Sequence, residues 1–157
     1  VVIGDGSRMH WLRNEVLKSG LENNFLILGR FPLERMPSFY AHADALLVSL
    51  KKDPIFSMTI PGKVQSYLMA GMPILALLDG EGARVIKEAN AGYVQPAGDS
   101  NSLVESVLMM TKLPTKDREQ FGLNGRAYAQ QEFSRALAMD RLEAFFHEAL
   151  NISRLEV

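Results

Sequence analysis

Three consecutive stretches decide the fold: Ala45-Leu46-Leu47-Val48-Ser49, then Lys63-Val64-Gln65-Ser66-Tyr67-Leu68-Met69-Ala70-Gly71, then Pro73-Ile74-Leu75-Ala76-Leu77-Leu78. The first and third are short continuous apolar runs, the composition of strands buried on both faces. The second reads as a helix closed by Gly71, since glycine enters the left-handed conformation that ends helices at little cost. A strand, a crossing helix and a second strand make a parallel unit.

The same alternation extends in both directions. Upstream, Val1-Val2-Ile3 reads as a strand entering the turn Gly4-Asp5-Gly6-Ser7. Ser7 is placed to cap the next helix, with Trp11, Leu12 and Val16 facing inward and Gly20 as its stop. Phe25-Leu26-Ile27-Leu28 reads as a second strand, ending at Gly29, and Glu34 to Ala43 as a short helix with Pro37 near its start. Lys51 to Gly62 is polar and irregular, with Pro54 and Pro61. Downstream, Gly80-Glu81-Gly82 reads as a turn into a helix over Ala83 to Ala89. Gly92-Tyr93-Val94 follows as a strand and Ser100 to Met110 as a helix, with helix-rich sequence from about Thr115. The pattern predicts an α/β fold: five parallel strands in one doubly wound sheet, helices on both faces and a helical tail. Ligands bind such sheets at the carboxyl ends of the strands, here Gly4–Gly6, Gly29–Phe31, Ser49–Lys52 and Leu78–Gly82.

Composition narrows the function. The 157 residues suit one domain, and 47% hydrophobic with 22% charged residues is an ordinary globular balance. A net charge of -1 gives no broad attraction to nucleic acid or anionic membrane. There is no cysteine, which removes disulfides and thiolate metal sites. No stretch of the sequence has the length of a bilayer span or the form of a secretory signal. Val1-Val2-Ile3, a buried-strand pattern with no polar lead-in, reads as a fragment boundary.

Two motifs carry candidate chemistry. Gly4-Asp5-Gly6 lets a backbone approach a ligand closely, but it lacks the third glycine of a dinucleotide fingerprint, and taken alone it reads rather as a plain strand-to-helix turn. Thr59-Ile60-Pro61-Gly62-Lys63 is more informative. Pro61 starts a helix, Gly62 removes bulk near the first free N–H groups, Lys63 adds a positive charge and Thr59 a hydroxyl. That set suits phosphate; a capped helix with a solvated lysine explains it as well. His10, His42 and His147 are scattered, with no triad order or metal-ligand spacing. Met58, Met69, Met72, Met109 and Met110, and the aromatics Tyr128, Phe133, Phe145 and Phe146, read as core filling.

The order of motifs resembles the C-terminal, donor-binding domain of the large retaining GT-B glycosyltransferase family that uses nucleotide-sugar donors (group 1, family 4 type). The stretches that carry the resemblance are Val2-Ile3-Gly4-Asp5-Gly6, Phe25 to Gly29, Met36-Pro37-Ser38-Phe39-Tyr40 with Ala43-Asp44-Ala45, and Ile60-Pro61-Gly62-Lys63. They continue with Tyr67-Leu68-Met69-Ala70-Gly71-Met72-Pro73-Ile74 and Gly92-Tyr93-Val94 leading to Gly98-Asp99. The resemblance implies a Rossmann-like domain over 1–157, truncated at its N-terminal side and separated from its N-terminal acceptor domain, hence inactive alone. It implies that Gly29-Arg30-Phe31 border the base, with Gly4 and Gly6 as further donor contacts. It also implies that Thr59, Pro61, Gly62 and Lys63 face the diphosphate and that Ser66 lies near the ribose. It calls for a nucleoside-diphosphate sugar as donor substrate, no permanently bound cofactor, no metal and no nucleic acid. It implies a glycan or lipid-linked acceptor, met in the cytoplasm or at the inner face of the membrane, with peripheral membrane association of the full-length enzyme.

This chain departs from the family in two respects. First, the family's domain starts one strand earlier, in a segment bearing an Arg and a Lys that hold the donor phosphates, a unit not among residues 1–157. Second, two glutamates eight positions apart, common ahead of the Ala-Gly-x-Pro turn, fall at Met58 and Ser66. Branches with Pro-Ser-Lys or Pro-Gly-Lys resemble Ile60-Pro61-Gly62-Lys63 more closely. Two alternatives stay open beside the transferase: a nucleotide-sugar epimerase of the same fold, and a degenerate, non-catalytic module kept for binding a partner. A signalling receiver would need more acidic residues at its first strand end than Asp5.

Overall fold

The computed structural model describes residues 1–155. It divides into two compact units, Val1–Phe39 and Tyr40–Val157. The expected strands are present and every pairing is parallel. They do not form one hydrogen-bonded sheet, however: β1 (Val2–Ile3) pairs with β2 (Ile27–Gly29), and β3 (Leu46–Ser49), β4 (Ile74–Leu77) and β5 (Gly92–Gln95) form a separate sheet in the order β3-β4-β5. The first pair is only two and three residues long, with an irregular register between Val2 and Ile3, so it has few ladder bonds to offer.

In the first unit, α1 (Met9–Lys18) begins later than expected. Met9 N–H bonds Gly6 O at 3.0 Å, and the capping position is Arg8, with no side-chain cap. Ser7 is therefore a turn residue and not the cap. Arg8 lays its guanidinium over the Trp11 ring at 4.7 Å, which keeps Trp11 at the surface, while Val16 is buried. Strand β2 starts two residues after Phe25 because Phe25 N–H is taken by Leu21 O at 3.1 Å, in the turn that ends the helical segment. A 3-10 turn (Leu33–Arg35) leads into α2 (Met36–Tyr40).

The second unit holds the main core. All four residues of β4 are buried, as a strand flanked on both sides and covered on both faces must be. Val48, Val64, Leu68, Ile74, Ala76, Leu78, Val85, Ile86 and Ala129 pack into one cluster. Helix α4 (Gly62–Ala70) contributes Val64 and Leu68 and ends at Gly71, with φ 72°. Tyr67 of the same helix meets Tyr40 edge-on, ring centroids 5.4 Å apart. Burial pushes the Tyr67 hydroxyl up from its ordinary pKa, and Tyr40 adds to the rise. Segment 51–61 is less irregular than its composition suggests. It contains the single-turn α3 (Pro54–Ser57), capped by Asp53, whose Oδ1 accepts Ile55 N–H at 2.8 Å. Helix α5 (Gly80–Glu88) begins at Gly80, so Gly80 and Gly82 lie inside it and not in a turn before it.

Helix α6 (Ser100–Lys112) is capped by Asp99, and its buried Ser106 accepts from Gln95 Nε2 at 2.8 Å while donating to Ser102 O. Helix α7 (Thr115–Glu132) packs on α4 through Gly122, Gly125 and Ala129. A Cβ on Gly122 would overlap Gly71 O. Helix α8 (Arg135–Leu155) follows. Tyr128 and Phe133 pack against the core as expected, but Phe145 and Phe146 of α8 are exposed, with Met139, Leu142 and Leu150. Among the methionines Met110 is buried, whereas Met58, Met69 and Met109 are exposed. Apolar character at these positions does not mark the core. Among the described residues no helix is long and apolar enough to cross a membrane.

Candidate functional site

In the first unit the strand ends bring two of the expected donor residues together. Gly4 N–H bonds Gly29 O at 2.7 Å. Gly4 has φ 128° and Gly29 φ 77°, backbone that other residues rarely adopt, and the space around both is open. Gly6 is equally open, and its N–H is held by Asp5 Oδ1 at 2.8 Å. Arg30 is exposed, and Phe31 lies edge-on to Phe39 with ring centroids 4.9 Å apart.

In the second unit the remaining five candidates sit at the start of α4. That helix reaches β4 through Gly71-Met72-Pro73, so its opposite end lies toward the carboxyl edge of the sheet. The packing agrees. Pro61 lies against Gly82, just past the end of β4: a Cβ on Gly82 would come within 3.0 Å of Pro61 Cδ. Ser57 O fills the place of a Cβ on Gly80. The two glycines of α5 thus hold segment 57–61 close against the strand end.

Pro61 occupies the capping position with extended backbone and has no side chain to cap with. Val64 N–H bonds Pro61 O at 2.8 Å; Gly62 is exposed, with open space where a side chain would stand. The first N–H groups of α4 are free of side-chain cover and carry the positive end of the helix dipole. Lys63 is exposed and takes part in no ion pair among the described residues. Thr59 Oγ1 leans back to Phe56 O at 3.4 Å, a weak contact that a ligand can displace. Ser66 Oγ donates to Gly62 O at 3.0 Å, which leaves its oxygen lone pairs to accept. The site is an open surface. Two clefts of this unit, about 400 Å³ beside Arg84 and Gln95 and about 520 Å³ beside Asp44 and Arg126, do not include Thr59–Lys63.

The sequence reading missed the parts that fix this surface: α3, the glycine contacts of α5, and Arg126. The signal for α3 was present, because Asp53-Pro54 is a capping residue followed by proline at the first helical position. Arg126 gave no signal, since its partners, Met69 O and Ala70 O, lie in another helix.

Parallel strands with a helix N-terminus at their carboxyl edge are a common setting for phosphorylated ligands. The chain belongs to the family of glycosyl transferases group 1, which matches residues 1–128. Among solved structures it is similar to HepE of Anabaena in complex with UDP, with TM-score 0.81 and 17% identity over 93% of this chain and 40% of that one. The HepE complex with UDP-glucose gives TM-score 0.78 and 18% identity over the same shares. Sucrose-phosphate synthase of Thermosynechococcus elongatus gives TM-score 0.76 and 20% identity, covering 92% of this chain and 35% of that one. No curated protein matches the chain. The fold is that of the C-terminal part of a GT-B glycosyltransferase, α/β with parallel sheets and a long C-terminal helix. The chain spans about two-fifths of the length of the HepE chain.

Proposed function

We propose that this chain is the nucleotide-sugar-binding half of a glycosyltransferase that moves a sugar from a nucleoside diphosphate to a glycan or lipid-linked acceptor, in cell-surface polysaccharide synthesis at the cytoplasmic side of the membrane. The observation that carries the reading is the start of α4. An N-terminus without a side-chain cap, an open Gly62 and a Lys63 with no ion-pair partner among the described residues stand together in a chain of the glycosyl transferase group 1 family. The helix N–H groups and Lys63 stabilise charge on the departing nucleoside diphosphate, and Thr59 and Ser66 supply hydroxyls near it. Gly4, Gly6, Gly29, Arg30 and Phe31, the donor contacts that the family resemblance implies, belong to the first unit and are proposed as ligand contacts of that unit by itself. A companion domain delivers the acceptor, so the residues here bind the donor without completing the transfer. HepE was crystallised with UDP and with UDP-glucose, which makes uridine nucleotides the first ligands to try. The family match favours transfer over epimerisation.

A nucleotide titration followed by backbone amide NMR tests this. UDP, GDP, ADP and dTDP are compared, and at least one is expected to shift the amides of Gly62, Lys63 and Val64. Shifts confined to α7 and α8 under every nucleotide would refute it. One feature favours the second reading, a non-catalytic module: Met58 is 70% exposed and Ser66 is not acidic, so neither position of the family's glutamate pair carries a carboxylate. Sugar transfer by the full-length enzyme decides between the two.

A further inference from the structure

We draw no further inference here: the strongest candidate, the exposed apolar patch on α8 formed by Met139, Leu142, Phe145, Phe146 and Leu150, carries none, because nothing in the structure shows what covers it.

Discussion

Arg126 of α7 donates from Nη2 to Ala70 O at 2.8 Å, and its Nε reaches Met69 O at 3.3 Å. The guanidinium so closes the carbonyl end of α4, the helix whose other end is the proposed diphosphate site. Free carbonyls at a helix end carry partial negative charge, which a cation offsets. The same side chain fills the space beside Gly71, where a Cβ would lie 2.9 Å from Nε.

Arg126→Ala should therefore destabilise the protein by about 1–2 kcal/mol, the scale of charged hydrogen bonds to a partly exposed helix end. Urea denaturation measures it. Nucleotide affinity should hold, because the change lies at the far end of α4. Unchanged stability would mean that water replaces the guanidinium without loss.

Gly80→Ala tests the frame of the site. A Cβ there overlaps Ser57 O, and Gly80 has φ 70°, so the substitution carries both a clash and backbone strain. The expected cost is about 3 kcal/mol or a displaced segment 54–61. Nucleotide binding should weaken along with it. A variant of full stability and full affinity would show that Ser57 moves aside freely.

Much of this was legible in the sequence, and the exceptions share a cause. β4 was readable because a strand buried on both faces is a bare apolar run, and α4 because Gly71 punctuates it. Phe145 and Phe146 were misread because composition records how apolar a residue is and not what faces it. The single sheet was misread for a similar reason: alternation predicts strands and their direction, while pairing across sequence gaps depends on tertiary contact. Of the candidate site, Pro61, Gly62 and Lys63 were found from local helix-start chemistry. The glycines that brace them, Gly80 and Gly82, looked like an ordinary turn because their partners, Ser57 and Pro61, are distant in sequence.

Acid should release the cap of α6. The Asp99 carboxyl is held below its ordinary value, first by the Ser102 hydroxyl, at 2.7 Å from Oδ2, and then by the Ser102 N–H, against a smaller opposing effect of burial. A lowered folded-state pKa means that the carboxylate adds stability above the unfolded value of 3.8 and loses it as pH falls through the folded value beneath that. The stability gap between wild type and Asp99→Ala should stay level from pH 7 to about 5 and shrink below about 4. Denaturation curves across that range check it; a gap that widens in acid would contradict the hydrogen-bond assignment.

Lys63→Ala tests the start of α4 directly. Lys63 is exposed and has no ion-pair partner among the described residues, so removing its charge leaves no orphan behind and should change folding stability by less than about 0.5 kcal/mol. If it meets the diphosphate, nucleotide affinity should fall by about 1–3 kcal/mol, near tenfold or more, as for a lost charged hydrogen bond. Added salt should weaken binding more in wild type than in the variant, because screening acts on the charge the variant lacks. Lys112→Ala, at the end of α6, is the control for a general effect of net charge. UDP is titrated into all three proteins at low and high sodium chloride. Equal affinity in wild type and Lys63→Ala at both salt concentrations would remove Lys63 from the site and leave the α4 N–H groups as its remaining positive charge.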